Sequence, residues 1–171
     1  LTSCMDLKLS ILGSSYSSPD SEFHFFKALS KGKGFEFYKR DDNRRTYEIV
    51  DMHEMTVAID STLGYESMAR GNKVAFYGGI RGSKFPLNTR KFGWPDNNNN
   101  SGYFWTSSAD IRDWNEVFQR VLGANIKDWE QECRGKIDEV ILNDMGNSIF
   151  IDLLKKYEIS VTNNINNHEL K

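Results

Sequence analysis

Cysteine, proline and histidine are scarce in this 171-residue chain, and no long apolar run interrupts it. The two cysteines, Cys4 and Cys133, stand far apart and in no metal-ligand spacing. That excludes a zinc module and reads as two free thiols in a reducing cytoplasm rather than a disulfide. The three histidines, His24, His53 and His168, form no cluster, so no metal site is expected. No stretch approaches the ~18 apolar residues of a membrane-spanning helix. Residues 1–12 lack the charged start and long apolar core of a signal peptide. Basic charge is not in excess either. The net charge is −2, so no global field draws in nucleic acid or anionic lipid, and nucleic acid is not an expected partner. Neither the GK[ST] ending of a P-loop nor a GxGxxG dinucleotide fingerprint occurs.

What is present is ordinary globular material, with 39% hydrophobic and 27% charged residues. The length fits one domain with a real core. The chain starts at Leu1 rather than Met and enters a regular element almost at once, which suggests a piece of a longer protein.

Apolar and turn residues alternate along the chain in a regular way. Residues 8–12 (KLSIL), 35–38, 55–59 and 73–77 (KVAFY) read as strands. Between them, 22–29, 46–53 and 65–70 read as helices, the first capped by Ser21 and the third closed by Gly71. Residues 14–20, with Pro19, and the charged stretch 41–45 read as loops. Residues 84–102, with Pro86, Pro95 and four consecutive asparagines, form a long loop. A short strand at 103–106 follows, then helices to Leu122, over 126–142 and over 149–156. The fold class is therefore α/β: a Rossmann-like open parallel sheet with helices on both faces, followed by C-terminal helices. Residues 1–159 form the domain, and 160–171 are a disordered polar tail.

Chemistry concentrates in TVAIDSTLGYESMARG, residues 56–71. In an open parallel sheet, ligands gather beyond the carboxyl ends of the strands. A helix starting there directs free N–H groups and its positive end into that crevice. Ser61 and Thr62 add hydroxyl donors, Gly64 permits close backbone approach to a phosphate, and Glu66, read in the first helical turn, suits a ribose diol. The same residues also suit plain helix capping by Ser61 or Thr62, with Glu66 complementing the dipole. GGIRG (78–82) ends the next strand and faces the same crevice. There Gly79 allows the backbone to bend close, and Arg81 is a candidate phosphate or carboxylate clamp or else a surface ion pair. Arg40 lies near the crevice mouth, while Asp41, Asp42, Arg44 and Arg45 read as a solvated face. Trp114 and Trp129 sit in helical patterns as core, and Tyr103, Phe104 and Trp105 pack on the sheet rather than on a base.

The run DSTLGYESMARGNKVAFYGGIRG (60–82), with FGWP (92–95), GYFWTSS (102–108) and NDMGN (143–147), resembles the C-terminal domain of GT-B-type glycosyltransferases of surface carbohydrate and O-antigen biosynthesis. The likeness extends over about residues 7–156. DSTLGYES is also similar, more distantly, to the phosphate- and ribose-binding turn of nonhydrolysing sugar-nucleotide epimerases. The resemblance implies a donor domain for a nucleotide-sugar substrate. Ser61, Thr62 and Gly64 would hold its phosphate and Glu66 its ribose. The acceptor, a glycan or a lipid-linked glycan, and the catalytic base would belong to an N-terminal domain missing from this chain. No catalytic residue is assigned here, and no cofactor or metal is implied. The His-Pro pair of sialic-acid and Kdo transferases is absent, so no CMP-sugar donor is implied. The expected location is cytoplasmic or peripheral at the inner face of the membrane. An epimerase-like enzyme and a non-catalytic domain of the same fold are the competing readings.

Overall fold

The apolar run 73–77 decides the architecture. A strand buried on both faces needs partners on both edges and cover above and below. In the computed structural model, which describes residues 7–14, 18–40, 43–59, 61–78, 92, 100–141, 144 and 146–157, that run has all of these. The chain divides into two compact units, Leu1–Ile141 and Leu142–Lys171.

In the first unit the elements run β1 (Ser10–Leu12), α1 (Pro19–Leu29), β2 (Glu36–Tyr38), α2 (Asn43–Asp51), β3 (Met55–Ala58), α3 (Thr62–Ala69), β4 (Lys73–Tyr77), β5 (Trp105–Thr106), α4 (Ile111–Gly123) and α5 (Ile126–Asp138). The α/β class and the parallel pairing read from the sequence hold. Among the described residues the strands pair as two sheets, β1–β2 and β3–β4–β5, every pair parallel. Thr56 stands opposite Val74, and Tyr77 opposite Thr106.

All five residues of β4 are buried, and the strand alternation sends them to two different layers. Phe76 points toward α3, meeting Tyr65 at 4.8 Å and Phe92 at 4.9 Å between ring centroids. Phe104 continues that layer to the fully buried Trp129 of α5. On the other face Tyr77 stacks on Trp114 of α4 at 4.6 Å and donates its hydroxyl to the Trp114 carbonyl at 3.0 Å. Burial pushes the Tyr77 phenol well above its ordinary pKa. Lys73 projects to the same side, where its ammonium donates to the Leu122 carbonyl at 3.1 Å. Helices thus cover both faces, as expected. On α5 the buried residues Trp129, Cys133 and Ile137 recur every four positions, a single apolar stripe. Burial raises the Cys133 thiol well above its usual pKa, which makes it an inert packing group. Cys4 lies outside the described residues.

Helix boundaries shift from the sequence reading for identifiable reasons. α1 starts at Pro19, three residues early, because proline at the first helical position lacks only an amide that would be unsatisfied anyway. Ser18, not Ser21, is the N-cap residue, and Ser21 instead donates its hydroxyl to the Ser18 carbonyl. α2 likewise starts three residues early, at Asn43. Asp110 and Asn125 cap α4 and α5 with side-chain bonds to the amides of Arg112 and Asp128, and α5 ends at Asp138 rather than near 142.

The second unit contains α6 (Ser148–Lys156). The NDMGN motif contributes its start: the Asp144 carboxylate accepts from the Ser148 hydroxyl at 2.9 Å and the Ile149 amide at 2.8 Å. Residues 160–171 lie outside the described residues.

Candidate functional site

β3 is an edge strand of the three-stranded sheet, and the chain leaves its carboxyl end directly into α3. Ser61 is extended (φ −115°, ψ 127°) and occupies the N-cap position, but its hydroxyl makes no capping bond. The Gly64 amide turns back to the Ser61 carbonyl at 3.0 Å. The amides of Thr62 and Leu63 belong to the first turn and have no intrahelical acceptor by geometry. Thr62 is exposed, Ser61 half-buried and Leu63 buried. The opening of α3 therefore combines two amides without an intrahelical acceptor and, beside them, a serine hydroxyl that its own helix does not use.

α3 begins three residues before the sequence reading placed it, and two residues change position as a result. Glu66 lies in the second turn, not the first, too far along to act mainly on the helix dipole. Gly64 lies inside the helix, on the face against the sheet. A Cβ there would stand 2.4 Å from the Ala58 Cβ and 2.9 Å from the Phe76 ring. Close helix–strand packing by itself accounts for a glycine at this position. The closing glycine behaves as read: Gly71 adopts φ +95° just beyond the C-cap.

Glu66 faces α2. Its Oε2 accepts the Tyr47 hydroxyl at 2.8 Å, and this bond, with some burial, raises the Tyr47 phenol pKa. Four residues further along each helix, the Arg70 guanidinium pairs with the Asp51 carboxylate. The Asn72 amide adds a 2.7 Å bond to Asp51, and Arg70 also lies 5.4 Å from the Tyr47 ring centroid. Hydrogen bonding to Arg70 holds the Asp51 carboxyl below its usual pKa. The pairs 47–66 and 51–70 ascend together, so α2 and α3 run in the same direction. Sequence reasoning did not single out Tyr47, Asp51, Arg70 or Asn72. The available signal was the matched i, i+4 spacing of complementary groups on two consecutive helices.

Gly79 and Arg81, like Asp60, Asp41, Asp42 and Trp94, lie outside the described residues. Phe92 of the FGWP motif is core, stacked between Tyr65 and Trp105, and Phe104 and Trp105 are buried as expected. A cavity of about 600 Å³ opens elsewhere, between the β5–α4 turn and α4, lined by groups that include Thr106, Ser107, Asp113, Glu116 and Arg120. None of its lining residues comes from β3 or α3. Much of its polarity is already committed. Arg120 donates to the Gly102 and Tyr103 carbonyls and pairs with Glu116. The Thr106 hydroxyl accepts from the Ser108 amide. Among the described residues no group of three or more His, Cys, Asp or Glu gathers to hold a metal ion. Nor is any helix among them long and apolar enough to cross a membrane.

Comparison with known proteins adds one match. The model of a family described as "putative O-antigen biosynthesis protein" matches residues 2–158. No curated protein and no solved structure matches. Because that match spans nearly the whole chain, the protein belongs to this O-antigen biosynthesis family.

Proposed function

We propose that this chain binds the nucleotide-sugar donor of a GT-B-type glycosyltransferase in surface polysaccharide synthesis. The observation that carries the reading is the opening of α3 at the carboxyl end of a parallel strand, where the first amides have no intrahelical acceptor and the Ser61 hydroxyl makes no capping bond. A phosphate there would accept the Thr62 and Leu63 amides and the Ser61 hydroxyl, assisted by the helix dipole. The tight seat of Gly64 on Ala58 and Phe76 fixes where those amides point. Glu66 would take the ribose hydroxyls, and Gly79 and Arg81 are the further candidates for the diphosphate. Charge on the departing phosphate is then stabilised by dipoles and hydrogen bonds set in advance, without need of a metal. The acceptor, a glycan or lipid-linked glycan, and the base that activates it belong to a second domain in this reading.

Calorimetric titration with UDP, GDP, CMP and their sugars tests the proposal. One of them binds, and the double variant Ser61→Ala/Glu66→Ala weakens it by about 1–3 kcal/mol, the range for losing charge-assisted hydrogen bonds. Equal affinity in wild type and double variant overturns the reading.

A further inference from the structure

Two polar groups of contacts are described across the α2–α3 seam. Asp51, Arg70 and Asn72 form a joined set at one level. One turn nearer the start of α3, the Tyr47 hydroxyl donates to Glu66. A glutamate side chain has three torsions and loses much rotamer freedom when ordered. A tyrosine has two, and this one is already flanked by the Arg70 guanidinium at 5.4 Å. Tyr47 is therefore the stiffer partner, and its bond orders Glu66 before any ligand arrives. The bond occupies one acceptor position on Oε2, and a carboxylate offers about four, so among the described residues Oε1 keeps its capacity. Glu66 lies four residues past Thr62, about 6 Å along the axis at 1.5 Å per residue. That separation matches a phosphate at the helix opening and the ribose of the same nucleotide alongside the second turn.

We propose that Tyr47 is a positioning residue for ribose: its hydroxyl fixes Glu66 with one carboxylate oxygen turned to the sugar's 2′-hydroxyl. The inference rests on the donor-binding reading above. Its chemistry calls for discrimination between ribo- and deoxyribonucleotides, which a bond that only ties α2 to α3 does not supply. Tyr47 remains a donor through neutral pH, since its hydrogen bond to Glu66 moves the phenol further from ionising.

The test is calorimetric titration of the full chain with UDP, GDP and CMP and with their 2′-deoxy counterparts, in wild type and Tyr47→Phe. Wild type prefers the ribo form by about tenfold, the worth of one good hydrogen bond to a charged group. Tyr47→Phe keeps the ring beside Arg70, lowers that preference at least about threefold and leaves deoxynucleotide affinity unchanged. In a Glu66→Ala background the same substitution has no further effect. An unaltered ribo-to-deoxy ratio in Tyr47→Phe overturns the inference. So does an equal loss for both ligand forms, which marks a structural tie; the melting temperature of the variant identifies any folding defect behind it. Wild-type binding without ribo preference overturns the positioning role and leaves donor binding standing. No nucleotide binding by wild type overturns both.

Discussion

The two parallel sheets use the same strand–helix–strand chemistry and end in different states. In β1–β2 every strand residue is half-buried, and α1 has no buried residue. Phe23 packs there on Phe35 and Phe37, with centroids 5.8 Å away in each case, while Phe25 and Leu29 remain exposed. In β3–β5 the central strand is wholly buried, and helices lie on both of its faces. Strand pairing alone does not make a rigid element. Apolar cover on two faces does, because burial supplies most of the free energy that resists local opening. The α3 opening leaves the half-buried β3, but α3 seats Gly64 on Phe76 of the wholly buried β4, so its amides are aimed from the covered part of the sheet.

Substitutions sharpen this contrast. Trp129→Ala, in the buried layer behind β5, is expected to cost about 3–5 kcal/mol in urea denaturation. Phe23→Ala, in the half-buried layer, is expected to cost about 1–2 kcal/mol. The reverse ranking would break the comparison. Gly64→Val probes the seat of α3 on β3 and β4. Its Cβ collides with Ala58 and Phe76, and overpacking of this kind costs about 1–3 kcal/mol. Unchanged stability would mean that α3 does not rest there. Asp51→Asn has the smallest effect, roughly 0.5 kcal/mol at pH 7, because the pair with Arg70 is about a third exposed and screened by water. The Asp51 carboxyl is depressed in the folded state, so its contribution is present above its unfolded pKa of about 3.9 and is lost as pH falls through the lower folded value. Stability curves for wild type and Asp51→Asn should therefore draw together below about pH 4 and meet below the folded value. A gap that persists there would show that ionised Asp51 is not what stabilises the seam.

Much of the fold was legible because the strands are short apolar runs between turn residues. Residues 73–77 were read to the residue, and the stripe of Trp129, Cys133 and Ile137 follows a plain helical repeat. Helix starts were harder. Pro19 and Ser61 both look like loop residues until the helix behind them is known, and an N-cap belongs to both states. Gly64 shows the limit for the site. From the sequence it reads as room for a phosphate. In three dimensions its missing side chain is room for Ala58 and Phe76, a long-range contact that no local pattern encodes. The Tyr47–Glu66 bond was hidden for the same reason, since it joins groups nineteen positions apart.

Amide NMR of the isotopically labelled chain during titration with the tightest-binding nucleotide tests the central claim most directly. Phosphate docking at the opening of α3 predicts that the Thr62 and Leu63 amide resonances shift most and earliest, with Glu66 following when ribose is present. Shifts confined to the β5–α4 cavity, with Thr62 and Leu63 unmoved at saturation, would contradict it.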